Sequence, residues 1–270
     1  MAKSNYKNVL KVTLKWEGGY SNHPQDPGGA TQRGIIQKVY DKWRDKWGKP
    51  RQSVKNLTET ELQTIYKEDY WIPVQGDRLK HGVDLVCFDG GVNSGVGRNG
   101  QWVGKVLNTN TKVHLVTNTE VDQLNRLDPV FVVKKYMDLR LSFLQGLSTF
   151  KTFGRGWTNR VADVRANALA MASKGNPDVL LDDAKVQDKK TAQEASNAVK
   201  TATGTIPTSA AASGATTVAG FDWTPIIAIS GIVLLVGLTV AVVYMIKSNQ
   251  HKVVAQALKD KAQELINGRA

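Results

Sequence analysis

Cysteine is almost missing: Cys87 stands alone in 270 residues, so no disulfide can close within the chain and no paired-cysteine zinc or redox motif is open to it. Set in Leu85-Val86-Cys87-Phe88, it reads as a packed core side chain. Histidine is scarce too, and no His, Cys, Asp and Glu cluster has metal-ligand spacing, so neither a metal nor any other cofactor is expected. His23 and His114 read as bystanders. Met1 to Asn8 is polar and basic without an apolar core, which argues against a secretory signal. No stretch alternates strictly between apolar and polar residues, which argues against a large sheet. Zinc spacing, an RRM signature and an arginine-rich arm are all lacking, so nucleic acid is not an expected partner.

Positive charge, by contrast, is abundant. The formal net charge is +12, and it is unevenly placed: 27 basic and 16 acidic residues fall at or before Lys174, leaving the remainder nearly neutral. A basic surface attracts polyanions over a distance that salt shortens. Anionic lipid and the bacterial cell wall both fit.

The front of the chain, residues 1–175, reads as mostly helical. Val9, Val12 and Trp16 mark one face of a helix from Ser4 to Trp16. Pro24, Pro27, Gly28 and Gly29 then forbid helix, so Gly19 to Arg33 is expected to be an irregular loop or short hairpin. Helices are expected over Gly34–Trp47, from the capping box Thr58-x-x-Glu61 to Trp71, over Val83–Asn93, over 99–108, 119–127 and 130–148, and from Asn159 to Ser173. The tryptophans at 43, 47, 71 and 102 read as core.

Composition shifts after Asn176. Residues 176–222 are expected to form a helical extension followed by an Ala, Thr and Ser-rich flexible linker. Pro225 to Ile246 holds no charged residue, has the length of a bilayer core, and is flanked by Trp223 and Tyr244, so a transmembrane helix is expected over 223–246. Residues 247–270 form an amphipathic basic tail, suited to a membrane surface or to a packing partner. Lys247 and Lys252 after the span place the tail in the cytoplasm and the basic domain across the membrane. A domain of that size with no signal conflicts with this orientation, unless a particle delivers it or it acts after membrane damage.

The chemistry concentrates in Trp16-Glu17-Gly18-Gly19-Tyr20. Glu17 falls where the first helix ends, at the negative pole of its dipole and beside a large ring, so its carboxyl is expected to hold its proton as a general acid. Asp26 follows in a Pro- and Gly-rich loop, where it stays ionised. It can stabilise a developing oxocarbenium ion or orient water, or merely shape its turn.

Trp16-Glu17-Gly18-Gly19-Tyr20, Pro24-x-Asp26-Pro27-Gly28-Gly29-Ala30-Thr31 and Gly34-Ile35 together resemble the N-terminal signature of the glycoside hydrolase family 108 lysozymes, bacteriophage-type lytic enzymes. Asp89-Gly90-Gly91-Val92-Asn93-Ser94-Gly95-Val96-Gly97, with Trp102, resembles the peptidoglycan-binding region that follows in those proteins, here about 83–173. The resemblance implies a mainly α, lysozyme-like globular domain and hydrolysis of the β-1,4 bond between N-acetylmuramic acid and N-acetylglucosamine. It implies Glu17 as proton donor, with Asp26 and Thr31 as its catalytic companions. Tyr20 is expected to line the sugar cleft, and Asn93 and Ser94 to bind glycan or to cap a helix. The chain departs from the pattern at Arg33, where an aromatic is usual, and at Ile36, where a threonine is.

The expectation is therefore a membrane-anchored muramidase: a lysozyme-like domain plus a C-terminal single transmembrane helix, sited in a virion membrane or the host inner membrane. Its partners would be peptidoglycan, the lipid bilayer and other virion membrane proteins. Two rivals stand beside it, a non-catalytic wall-binding anchor and a lytic transglycosylase.

Overall fold

The computed structural model describes residues 4–22, 29–204 and 224–268, with 202–204 and 224–238 as backbone only. Regular structure among them is almost all helix: α1 (Tyr6–Leu14), α2 (Gln37–Lys46), α3 (Glu59–Tyr66), α4 (Val83–Ser94), α5 (Val96–Leu107), α6 (Asn118–Arg126), α7 (Pro129–Gln145), α8 (Phe150–Ala172), α9 (Pro177–Gly204) and α10 (Thr224–Asn267). The one sheet among the described residues is a hairpin of β1 (Thr31–Gln32) and β2 (Ile35–Ile36), with Gln32 opposite Ile35.

α4 is the axis of the domain. Every residue from Val83 to Gly91 is buried, as befits a helix apolar on all sides, and α1, α5, α7 and α8 pack around it. Asn5, just before α1, donates to Asp84 at the start of α4 (2.9 Å) and lies against Met171 at the end of α8. Thus α1 and α4 run in one direction and α8 returns antiparallel. The opposite end of the bundle therefore gathers the chain after α1, the end of α4 and the start of α8. The expected capping box of α3 forms: Thr58 Oγ1 accepts from Glu61 N (3.3 Å) and Glu61 Oε2 from Thr58 N (3.2 Å). α3 then loosens into a π turn over Lys67–Trp71 that seats Trp71 in the core, and Pro73 follows at its end.

α8 begins nine residues before the expected Asn159. Gly154 and Gly156 argue for a loop, yet Gly154 is buried beneath the Phe150 ring, where any side chain would collide. The helix needs glycine there for packing.

The transmembrane helix is not borne out. Among the described residues no helix is long and apolar enough to cross a membrane. The expected span instead runs on without a break as the first half of α10, whose second half belongs to the domain core through Val254, Leu258 and Ala262. α9 and α10 form an antiparallel pair, joined by Ser248 Oγ donating to Thr191 O (3.0 Å), His251 against Gln187 (2.8 Å) and Lys259 against Asp188 (2.9 Å). Buried Ala198 and Ala241 fall opposite each other in that register. The partner of the amphipathic tail is thus the domain's own α8 and α9, and the predicted bilayer contact and membrane location lose their basis. Trp223 and residues 205–222, most of the predicted linker, lie outside the described residues.

Candidate active site

α1 ends in a tightened turn, with Trp16 N on Thr13 O (3.0 Å) and Glu17 N on Leu14 O (3.2 Å). α8 grips this turn with two side chains one helical turn apart. Asp163 accepts from Lys15 Nζ and from the Trp16 indole N–H, both at 2.8 Å. Arg160 Nη1 donates to Glu17 Oε1 at 2.8 Å. A guanidinium is therefore in direct contact with Glu17. Its side chain keeps 17% exposure, enough to meet a ligand.

Arg160 is itself held from behind. Its Nε and Nη2 fork onto Asp89 at 2.9–3.2 Å, and Arg140 Nη1 meets the other side of Asp89 at 2.6 Å, with no exposure at either group. Burial alone would raise the Asp89 carboxyl, but the two guanidiniums hold it below its ordinary value. Burial alone would lower Arg160, but the Asp89 and Glu17 carboxylates keep it protonated. Glu17, Arg160, Asp89 and Arg140 form one chain of alternating charge from the surface to the core.

Asn93 Oδ1 accepts from Arg140 Nη2 (3.1 Å) and from Ser94 Oγ (3.4 Å). Asp89 of the second motif thus aims the residue that touches Glu17, while Gly90 lets the Tyr136 hydroxyl approach. Asn93 and Ser94 sit half-buried where α4 ends.

The hairpin closes over the acid. Its turn, Arg33-Gly34, has positive φ at both residues (48° and 80°), the geometry of a tight hairpin turn. A side chain on Gly34 would meet the Tyr66 hydroxyl at 2.5 Å and Glu17 Oε2 at 2.8 Å. Ser21 pairs with Thr31 by N–H to O bonds of 2.9 and 2.8 Å, which fastens the segment after Glu17 to the same hairpin. Thr31 Oγ1 donates to Gly29 O (3.2 Å). Tyr66 donates to Arg33 O (2.9 Å). Burial, with the Glu17 charge adding, raises its hydroxyl and that of Tyr70, where Asp69 also contributes. Both hydroxyls therefore keep their protons. Tyr20 is 43% exposed, with Lys55 over its ring at 5.6 Å.

The structure therefore brings Glu17, Thr31 and Gly34 together around one hairpin, whereas Asp26 lies outside the described residues. Sequence reasoning missed Arg160, Asp89 as its anchor, Tyr66 and Tyr70. A signal for Arg160 was present: it interrupts an apolar face made by Trp157, Val161 and Val164, and a cation there needs a buried acid.

The Glycosyl hydrolase 108 family model matches residues 10–95, the stretch that holds Glu17, the hairpin and Asp89. The solved structure of Brucella abortus SagA is similar to this chain at 36% identity, over 63% of this chain and 97% of that one, with a TM-score of 0.54. The chain belongs to the glycosyl hydrolase 108 family. It is accordingly a glycoside hydrolase with a mainly helical fold. No curated protein matches it.

Proposed function

We propose that this family 108 protein is a muramidase, cleaving the β-1,4 bond between N-acetylmuramic acid and N-acetylglucosamine in peptidoglycan, with Glu17 as general acid. The observation that carries the reading is the placement of Glu17: a carboxyl at the domain surface, held by Arg160 through Oε1, with Oε2 turned to the hairpin. In the protonated acid Oε1 is the carbonyl oxygen, which accepts from Arg160, and Oε2–H donates to the glycosidic oxygen. Once the proton has gone, the guanidinium stabilises the carboxylate left behind. The rest of the reaction needs a second negative charge or a base near the developing oxocarbenium ion. Asp26 takes that part, with Thr31 helping to orient water. Tyr20, Asn93 and Ser94 contact the glycan.

The net charge of +12 fits an anionic wall polymer, and peptidoglycan is the partner it points to. The membrane-held setting rested on the transmembrane helix and falls with it. Mass analysis of the fragments released from purified peptidoglycan tests the reading. Reducing-end N-acetylmuramic acid, formed by addition of water, is the expected product. Anhydro ends would identify a lytic transglycosylase instead, and the absence of fragments with wall binding intact would identify a binding protein.

A further inference from the structure

Beyond Arg160, the inward face of α8 runs off the edge of the core. Val164 and Arg160 are buried, Trp157 is half-buried, and Phe153 is 54% exposed. At 1.5 Å per residue the two rings stand roughly 5 and 10 Å along the helix from Arg160, on its side of the helix. Since Arg160 carries Glu17, both lie in line with the acid.

Their centroids are 5.8 Å apart and their planes differ by 35°, so they make one shallow, nearly continuous surface, backed by Phe150 at 6.0 Å from Trp157. Phe150, Gly154 and Thr158 line a hollow shared with Asn249 and Val253 of α10, while Phe153 stays exposed. Leaving Phe153 in water forgoes the stabilisation that burial of so large a ring would bring. Polar groups lie at the same level along the helix axis. α4 runs antiparallel to α8 with Asp89 opposite Arg160, so Asn93 and Ser94 come out one turn beyond, at the level of Trp157. Apolar rings with hydrogen-bonding groups at one edge match a pyranose ring, which offers an apolar C–H face and a polar rim.

We propose that Trp157 and Phe153 form a stacking ledge for the sugar adjacent to the bond being cut, with Asn93 and Ser94 along its polar edge. The proposal rests on the reading of Glu17 as the acid acting on a glycan. The occupant is a wall glycan strand, because the ledge starts one turn of α8 from Arg160, the residue that holds Glu17 in this glycoside hydrolase.

The test is titration calorimetry of the full chain carrying Glu17→Gln, which blocks turnover, with the tetrasaccharide of alternating N-acetylglucosamine and N-acetylmuramic acid. Adding Phe153→Ala is expected to weaken binding about three- to tenfold, the worth of one aromatic stacking contact, whereas Phe153→Tyr restores it. Phe153 is exposed, so its truncation leaves the fold intact. Equal tetrasaccharide affinity with and without the Phe153 ring overturns the ledge, and so does a parent that does not bind the tetrasaccharide. Wall clearing by the unmodified chain is scored separately. Clearing without a Phe153 effect sinks the ledge alone, while a Phe153 effect without clearing sinks the hydrolytic reading and supports the ledge.

Discussion

Asp89→Asn is the most informative single change in the core, because it removes the negative charge lying between two buried guanidiniums. Asp89 and Arg140 have no side-chain exposure and Arg160 has 8%, so water cannot replace the lost partner. Breaking one side of a buried pair costs about 3–5 kcal/mol. Two arginines depend on this one carboxylate, which places the expected loss at the upper end of that range. In a domain of this size such a loss lowers the melting temperature on the order of 10 °C. Thermal unfolding followed by circular dichroism reads it directly. A second variant checks the cause. Arg140→Leu combined with Asp89→Asn removes one charge of each sign, so the pair is expected to lose less than the sum of the single changes. Activity should fall in Asp89→Asn even where the protein remains folded, because Arg160 no longer has its fork to hold it against Glu17. A loss below about 1 kcal/mol, or strict additivity of the two changes, would refute the alternating-charge account.

Three further outcomes follow from particular contacts. Gly34→Ala places a methyl group 2.8 Å from Glu17 Oε2 at a residue with φ of 80°. It is expected to cost about 1–3 kcal/mol in chemical denaturation and most of the wall-clearing rate. Glu61 is buried, which alone would raise its carboxyl, yet hydrogen bonds from Tyr40, Thr58 and Arg44 hold it at about 2. Its contribution to stability is therefore complete above the unfolded value of about 4.3 and is lost as pH falls towards 2. Denaturation midpoints measured down that range should lose this slope in Glu61→Gln, and an unchanged slope would contradict the assignment. Leu258→Ala, at a fully buried position of α10, is expected to cost about 2–5 kcal/mol. A neutral result would detach the last helix from the core.

Much of the fold was legible because its signals are local. The capping box at Thr58 and Glu61 and the apolar face of α1 both act within a few residues. The errors came where distant packing decided. Glycines at 154 and 156 argue against helix until Phe150 is seen to need the space. The apolar run before Ile246 looks like a membrane helix until it continues into residues seated in the core. The site divides in the same way. Glu17 and Thr31 were visible in a short motif, and Gly34 with them. Arg160 lies 143 residues further along the chain, and its meeting with Glu17 depends on α8 returning antiparallel to α1, which no local pattern encodes. Asp89 was noticed as part of a motif, but its work is to hold two arginines.

Glu17→Gln keeps the shape of the side chain and its acceptor for Arg160, and removes the proton that cleavage requires. Turbidity of a purified wall suspension, measured together with wall pull-down and the unfolding midpoint, is the most direct test. The account predicts that clearing is abolished while pull-down and folding persist. Clearing at the parental rate by folded Glu17→Gln would contradict it.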